Sequence, residues 1–253
     1  MRRFRGARGS RPPLIPVSDS PRSRTRPYVN VALIVANFAV FFYELSLSGT
    51  EINRYFFEHG VVPRELADWL GDPSGVGEPL TVFSSAFIHG GWLHLIGNML
   101  FLWVFGDNVE DALGHSRYVA FYLIAAVGAV ALQVALDQDG RIPMVGASGA
   151  IAGVLGAYLV LYPRATVGVV IPWFWFFGAF PVPAAFLIGF WFLPQLFSGV
   201  ASIGSAVEGG TAFWAHVGGF ATGFAIVLIL RPLIPRRSLS VPTPRRRRDV
   251  DMW

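Results

Sequence analysis

The chain has 253 residues, 53% of them hydrophobic and 14% charged, with a mean hydropathy of +0.51; a soluble domain carries about a quarter charged residues, so the composition is that of a membrane protein. All 20 basic residues are arginine; eight precede Pro27 and seven lie from Arg231 onward, so the net charge of +4 orients the chain in a lipid bilayer and does not suggest nucleic acid. There is no cysteine, which excludes disulfides, a thiolate nucleophile and cysteine-ligated metals and leaves hydroxyls and carboxylates as candidate nucleophiles.

Residues 1–28 are rich in Arg, Ser and Pro and poor in acids. They resemble a transit peptide in composition, but their five prolines oppose an amphipathic helix, and a disordered cytoplasmic tail is expected. The membrane domain then runs from 29 to 230. A hydrocarbon core of about 30 Å needs about 20 apolar residues per helix, and six stretches qualify: Val29 to Ser48, Ile88 to Val109, Tyr118 to Leu136, Val145 to Tyr162, Val182 to Val200 and Phe213 to Leu230. The apolar run Val167 to Phe180, interrupted by Pro172, Gly178, Pro181 and Pro183 and too short to span, is expected to be an interfacial loop. Residues 231–253 form a second basic tail.

Arginine bias places both tails in the cytoplasm, which requires an even number of spans. The long loop Gly49 to Phe87, with six acids against two arginines, falls outside, as does the Ser/Gly-rich loop Ser198 to Thr211. The second, fourth and sixth spans then run in the same direction, and their first turns lie at one depth near the outer surface.

Polar groups inside spans are costly and mark functional sites by default. His94 and Asn98 lie one turn apart at the start of the second span, Ser148 at the start of the fourth and His216 at the start of the sixth. Taken singly, Ser148 reads as interhelical glue; the shared depth of all four points to one site. Small residues recur every fourth position at Gly149, Gly153 and Ala157 and at Ala215, Gly219 and Gly223, stripes that let two backbones approach in lipid. Such packing would bring Ser148 next to His216, the one base available to accept its proton. His94, Asn98 and the Ser148 backbone N–H would face the oxyanion of an acyl-transfer reaction, and Gly146 and Gly149 would leave that backbone open to a substrate. Gly146 to Gly149 is not the nucleophile elbow of α/β-hydrolases, because Ala150 follows and an apolar span continues.

These segments resemble the rhomboid intramembrane serine proteases. Gly146-Ala147-Ser148-Gly149 is similar to the family's GxSG nucleophile motif, His89 to Asn98 to its second-helix segment with His94 and Asn98, and Ala215 to Gly219 with Gly223 to its catalytic-histidine segment. Gly106 to Gly114 resembles the turn after the second helix, where Glu110 and Arg117 would be structural. The resemblance implies an all-α, six-helix polytopic bundle that cleaves transmembrane segments of other membrane proteins with a Ser148–His216 dyad. It implies no third carboxylate, cofactor or metal, and a setting in a bacterial plasma membrane rather than the mitochondrial inner membrane. Gly146, Gly149 and Gly219 would be structural near the site. Where the family often has an aromatic residue under the imidazole, this chain has Ala152, with Trp214 and Phe220 as possible substitutes. The alternative is a catalytically weak or silent relative that binds and escorts membrane proteins; a transporter is disfavoured by the absence of an internal repeat.

Overall fold

The structure, a computed structural model, describes residues 15–20, 23–73, 78–170, 179–202 and 212–234. In chain order it contains β1 (Ile15–Asp19), α1 (Tyr28–Glu44), α2 (Gly49–His59), α3 (Pro63–Gly71), α4 (Glu78–Ser84), α5 (Trp92–Leu113), α6 (His115–Leu136), α7 (Ser148–Leu161), β2 (Thr166–Val170), β3 (Ala179–Pro183), α8 (Ala184–Ser202) and α9 (Phe213–Leu230). The six expected spans correspond to α1 and α5 to α9. α6, α8 and α9 are long and apolar enough to cross a bilayer by themselves, α5 forms a pair with 79–87 bent by 92°, and α1 and α7 are shorter apolar helices.

α7 is the hub. Every residue from Gly149 to Tyr158 is buried, and its neighbours are α9, α6 and α5. The glycine stripes explain the contact with α9: a Cβ on Gly219 would strike the Gly149 carbonyl oxygen, and one on Gly223 the carbonyl oxygen of Gly153. Lipid tails are as apolar as leucine, so such backbone contact, and not water exclusion, holds the pair. With 14 residues, α7 is about 21 Å long, shorter than the hydrocarbon core of about 30 Å. It therefore cannot reach both membrane surfaces by itself.

The segment feeding α7 is pinned by the long first loop. Val61 and Met144 exchange both backbone hydrogen bonds, and Gly146 N–H donates to the Ser85 carbonyl at 2.8 Å. At the other end of the bundle α5 passes into α6 through Gly114 alone, whose φ of +82° suits glycine. There the carboxylate of Glu110, fully buried, accepts the N–H groups of Val29 and Asn30 at 3.0 and 2.7 Å and so caps the first turn of α1. Glu110 is structural as the resemblance implied; Arg117 is exposed and forms no ion pair among the described residues.

Two expectations are corrected. The run Val167 to Phe180 is not simply a loop: β2 pairs antiparallel with β3, placing Thr166 opposite Pro183 and Gly168 opposite Pro181. Of the prolines that argued for a loop, Pro181 and Pro183 stand on an edge strand of the sheet, ordered β1-β2-β3, where a missing N–H is tolerated; residues 171–178, Pro172 and Gly178 among them, lie outside the described ones. The tail 1–28 is not disordered throughout either, because β1 pairs with the opposite edge of β2. Its Asp19 accepts hydrogen bonds from Asn108 of α5 and Tyr158 of α7. Of the loop Ser198 to Thr211, residues 203–211 lie outside the described ones, as do 235–253 of the second tail.

Candidate active site

Ser148 is the first residue of α7 and follows Gly146, whose φ of +123° favours glycine. A Cβ at Gly146 would lie 2.6 Å from Nε2 of His94, so a side chain there would displace the His94 ring, and it would come into contact with Nδ2 of Asn98 at 3.6 Å. α7 has no side-chain cap at its N-terminus. Its first N–H groups, among them that of Ser148, have no partner within the helix and carry the positive end of its dipole.

The glycine seam brings α9 alongside, and Gln133 of α6 fixes its start by accepting the Ala215 N–H at 3.1 Å. This registers His216 against α7: its Nε2 stands 2.8 Å from Ser148 Oγ. Its Nδ1 stands 2.8 Å from Oε1 of Gln195 on α8. A carbonyl oxygen only accepts, so Nδ1 carries the proton and donates to Gln195. Nε2 is thereby left as the acceptor for the serine hydroxyl.

From α5, the amide Nδ2 of Asn98 donates to Nε2 of His89 at 2.9 Å. His89 is buried; its ring Nδ1 faces the Phe87 carbonyl at 3.3 Å, and its backbone N–H donates to the carboxylate of Glu44. That pairing makes His89 Nε2 an acceptor and turns the Asn98 amide so that one N–H remains for another partner. His94 packs its ring against that of His89, with centroids 5.0 Å apart.

His94, Asn98, Ser148 and His216 all line one cavity of about 370 Å³, together with Ile151 and Trp191. The structure thus brings together the four polar residues that the sequence placed at one depth. Among the described residues no group of His, Asp and Glu side chains is arranged to hold a metal ion. What this arrangement can do chemically is deprotonate a hydroxyl next to unpaired N–H donors at the wall of a cavity, as acyl transfer requires.

The structural glycines also have definite tasks. A Cβ on Gly149 would lie 2.7 Å from that of Ala129 in α6, and Gly219 packs on Gly149 itself. Three residues were missed or misassigned by sequence reasoning. The ring nearest the imidazole belongs neither to Trp214 nor to Phe220 but to Trp191, with centroids 5.4 Å apart at 48°. Trp214 instead packs on Gly199, and Phe220 stacks on Phe192. Gln195 and the anchoring role of His89 carried no motif signal of their own, although His89 lies inside the segment that contains His94 and Asn98.

Comparison with known proteins agrees with this arrangement. Residues 76–233, more than half of the chain, match the family described as the Rhomboid domain. Rhomboid protein 1, mitochondrial, of Saccharomyces cerevisiae is 31% identical over 154 residues, covering 57% of this chain and 40% of the relative. RHOMBOID-like protein 4 of Arabidopsis thaliana is 33% identical over 160 residues, covering 60% and 34%. RHOMBOID-like protein 5 of the same plant is 40% identical over 83 residues, covering 33% and 27%. The chain therefore spans two fifths or less of the length of these relatives. Both the matched domain and the helical membrane architecture lead to one conclusion: the chain belongs to the rhomboid family.

Proposed function

We propose that the chain is an intramembrane serine endopeptidase that cleaves membrane proteins in or beside their transmembrane segments. The observation that carries this reading is the 2.8 Å approach of His216 Nε2 to Ser148 Oγ at the uncapped start of a buried helix. Ser148 Oγ attacks the scissile carbonyl carbon as its proton passes to His216 Nε2. The oxyanion that forms is met by the Ser148 N–H, the free N–H of Asn98 and His94. Collapse of the intermediate breaks the C–N bond, and His216 returns the proton to the leaving amine. Water then repeats the sequence on the acyl-enzyme, again with His216 as base.

The substrates are read as transmembrane proteins because the catalytic groups lie at the start of a helix too short to span, reached through lipid-exposed helices. Both termini on one side of the membrane follows from an even number of spans. Relatives of this chain include a mitochondrial rhomboid protein of yeast, which weighs against the bacterial plasma membrane expected from sequence.

The test is labelling by a serine-directed fluorophosphonate, with wild type and Ser148→Ala compared in one detergent. Label on wild type alone supports the protease. Absence of label on both, with a model transmembrane substrate bound but uncleaved, supports the escort function instead.

A further inference from the structure

We propose that Gln195 on α8 is the positioning residue that completes the dyad, holding His216 in the one tautomer and orientation that can accept the proton of Ser148. This rests on the protease reading above and deepens it. In a two-residue site nothing need fix which imidazole nitrogen is protonated, and a base whose reactive nitrogen already bears a proton is inert. Here Gln195 Oε1 takes the Nδ1–H at 2.8 Å while Nε2 faces Ser148 Oγ at 2.8 Å, so both ring nitrogens are assigned at once. When Nε2 gains the serine proton, the charge of the imidazolium spreads onto the Nδ1–H, and the amide carbonyl dipole of Gln195 is already aligned with it. The amide thus does, uncharged, what a carboxylate does in a three-residue site.

Trp191 supports the same geometry. It lies four residues before Gln195 and so on the same face of α8, and its ring packs against that of His216. Because position 152 is alanine and is fully buried, the contacts seen on the imidazole's outer edge and face both come from α8. That helix is the least embedded of the bundle: Phe186, Phe190, Leu193 and Phe197 are exposed, and it packs mainly on α9. Pro194, immediately before Gln195, interrupts its hydrogen-bond ladder. The Nδ1–H of His216 therefore keeps its acceptor only while α8 is seated on α9.

The experiment compares Gln195→Leu, similar in size but without an acceptor, with Gln195→Glu, which retains one. The rate of fluorophosphonate labelling at Ser148 is read together with kcat and KM for a model transmembrane substrate. The small reagent reports nucleophilicity without requiring a substrate helix to dock. Gln195→Leu should lower labelling and kcat about tenfold, the loss of one hydrogen bond to a group that becomes charged, with KM changed by less than about twofold. Gln195→Glu should restore both rates to at least the wild-type level. Wild-type labelling of Gln195→Leu, or a Gln195→Glu protein as slow as Gln195→Leu, overturns the inference, since then only the shape of the side chain matters. These outcomes are distinct from failure of the protease reading, in which wild type itself takes no label.

Discussion

The two ends of the bundle are built from the same kinds of residue to opposite effect. At one end α5 contributes His94 and Asn98, α7 contributes Ser148, and each faces a cavity with donors or acceptors to spare. At the other end α5 contributes Asn108 and Glu110, and α7 contributes Tyr158. There the polar atoms are taken up: Glu110 caps α1 and meets His115, and Asn108 donates to both Asp107 and Asp19 while Tyr158 donates to Asp19. A polar group inside a span is thus not by itself a sign of chemistry. What separates a reactive cluster from a structural one is an adjoining space and an unfilled hydrogen-bonding capacity.

If that distinction holds, substitutions at the cavity end should remove activity and spare the fold. The largest effect is expected for Ser148→Ala and His216→Ala, each lowering kcat at least about a thousandfold with thermal unfolding unchanged. The double variant should be no slower than either, because groups acting as a unit are not additive. Asn98→Ala should follow, with kcat reduced on the order of a hundredfold, roughly 3 kcal/mol, and KM little affected. A raised KM with unchanged kcat would make Asn98 a helix bridge and move it to the structural class.

The cavity end was far more legible in the sequence than its opposite. Ser148, His216 and the two glycine stripes could be read because helical period and span direction alone put them on facing helices at one depth. His94 and Asn98 followed from their spacing of four. Trp191 and Gln195 were hidden among the apolar residues of α8: period tells which residues share a face, not which neighbour that face meets. β1 was obscured by the arginines and prolines around it, since pairing with β2 depends on an edge 150 residues away in the chain. β3 was hidden by its own prolines, which exclude a central strand but not an edge one.

The closed end should give the reverse pattern, lost stability with intact chemistry. Glu110→Ala strands the N–H group of Asn30 in a buried position and that of Val29 in a part-buried one. The loss should be on the order of 2 to 3 kcal/mol, the cost of buried donors left unpaired, and should appear as earlier unfolding in detergent. The rate per fluorophosphonate-reactive molecule should change by less than about twofold. A stability equal to wild type would show that water reaches this cap and that the end is not closed.

Asp19 gives the smallest and most specific test, because its effect depends on pH. Burial, reinforced by the nearby Asp107, raises its carboxyl from an ordinary 3.8 to about 7, against the hydrogen bonds from Tyr158 and Asn108 that favour the charged form. Between those two values the folded protein holds a proton that the unfolded chain has released, so stability contributed by this group is greatest below about pH 4 and declines as pH rises toward 7, then stays level. Asp19→Asn keeps a carbonyl oxygen for Tyr158 and Asn108 and cannot ionise. It should therefore be more stable than wild type at pH 8 by on the order of 1 to 2 kcal/mol, after allowing for partial solvent exposure, with the advantage shrinking as the pH is lowered toward 4. Thermal unfolding of both proteins at several pH values measures this, and kcat should remain unchanged because the cavity lies at the opposite end of α7. Parallel stability curves for the two proteins across that range would mean that Asp19 reaches water freely and that β1 docks without burying a carboxyl group.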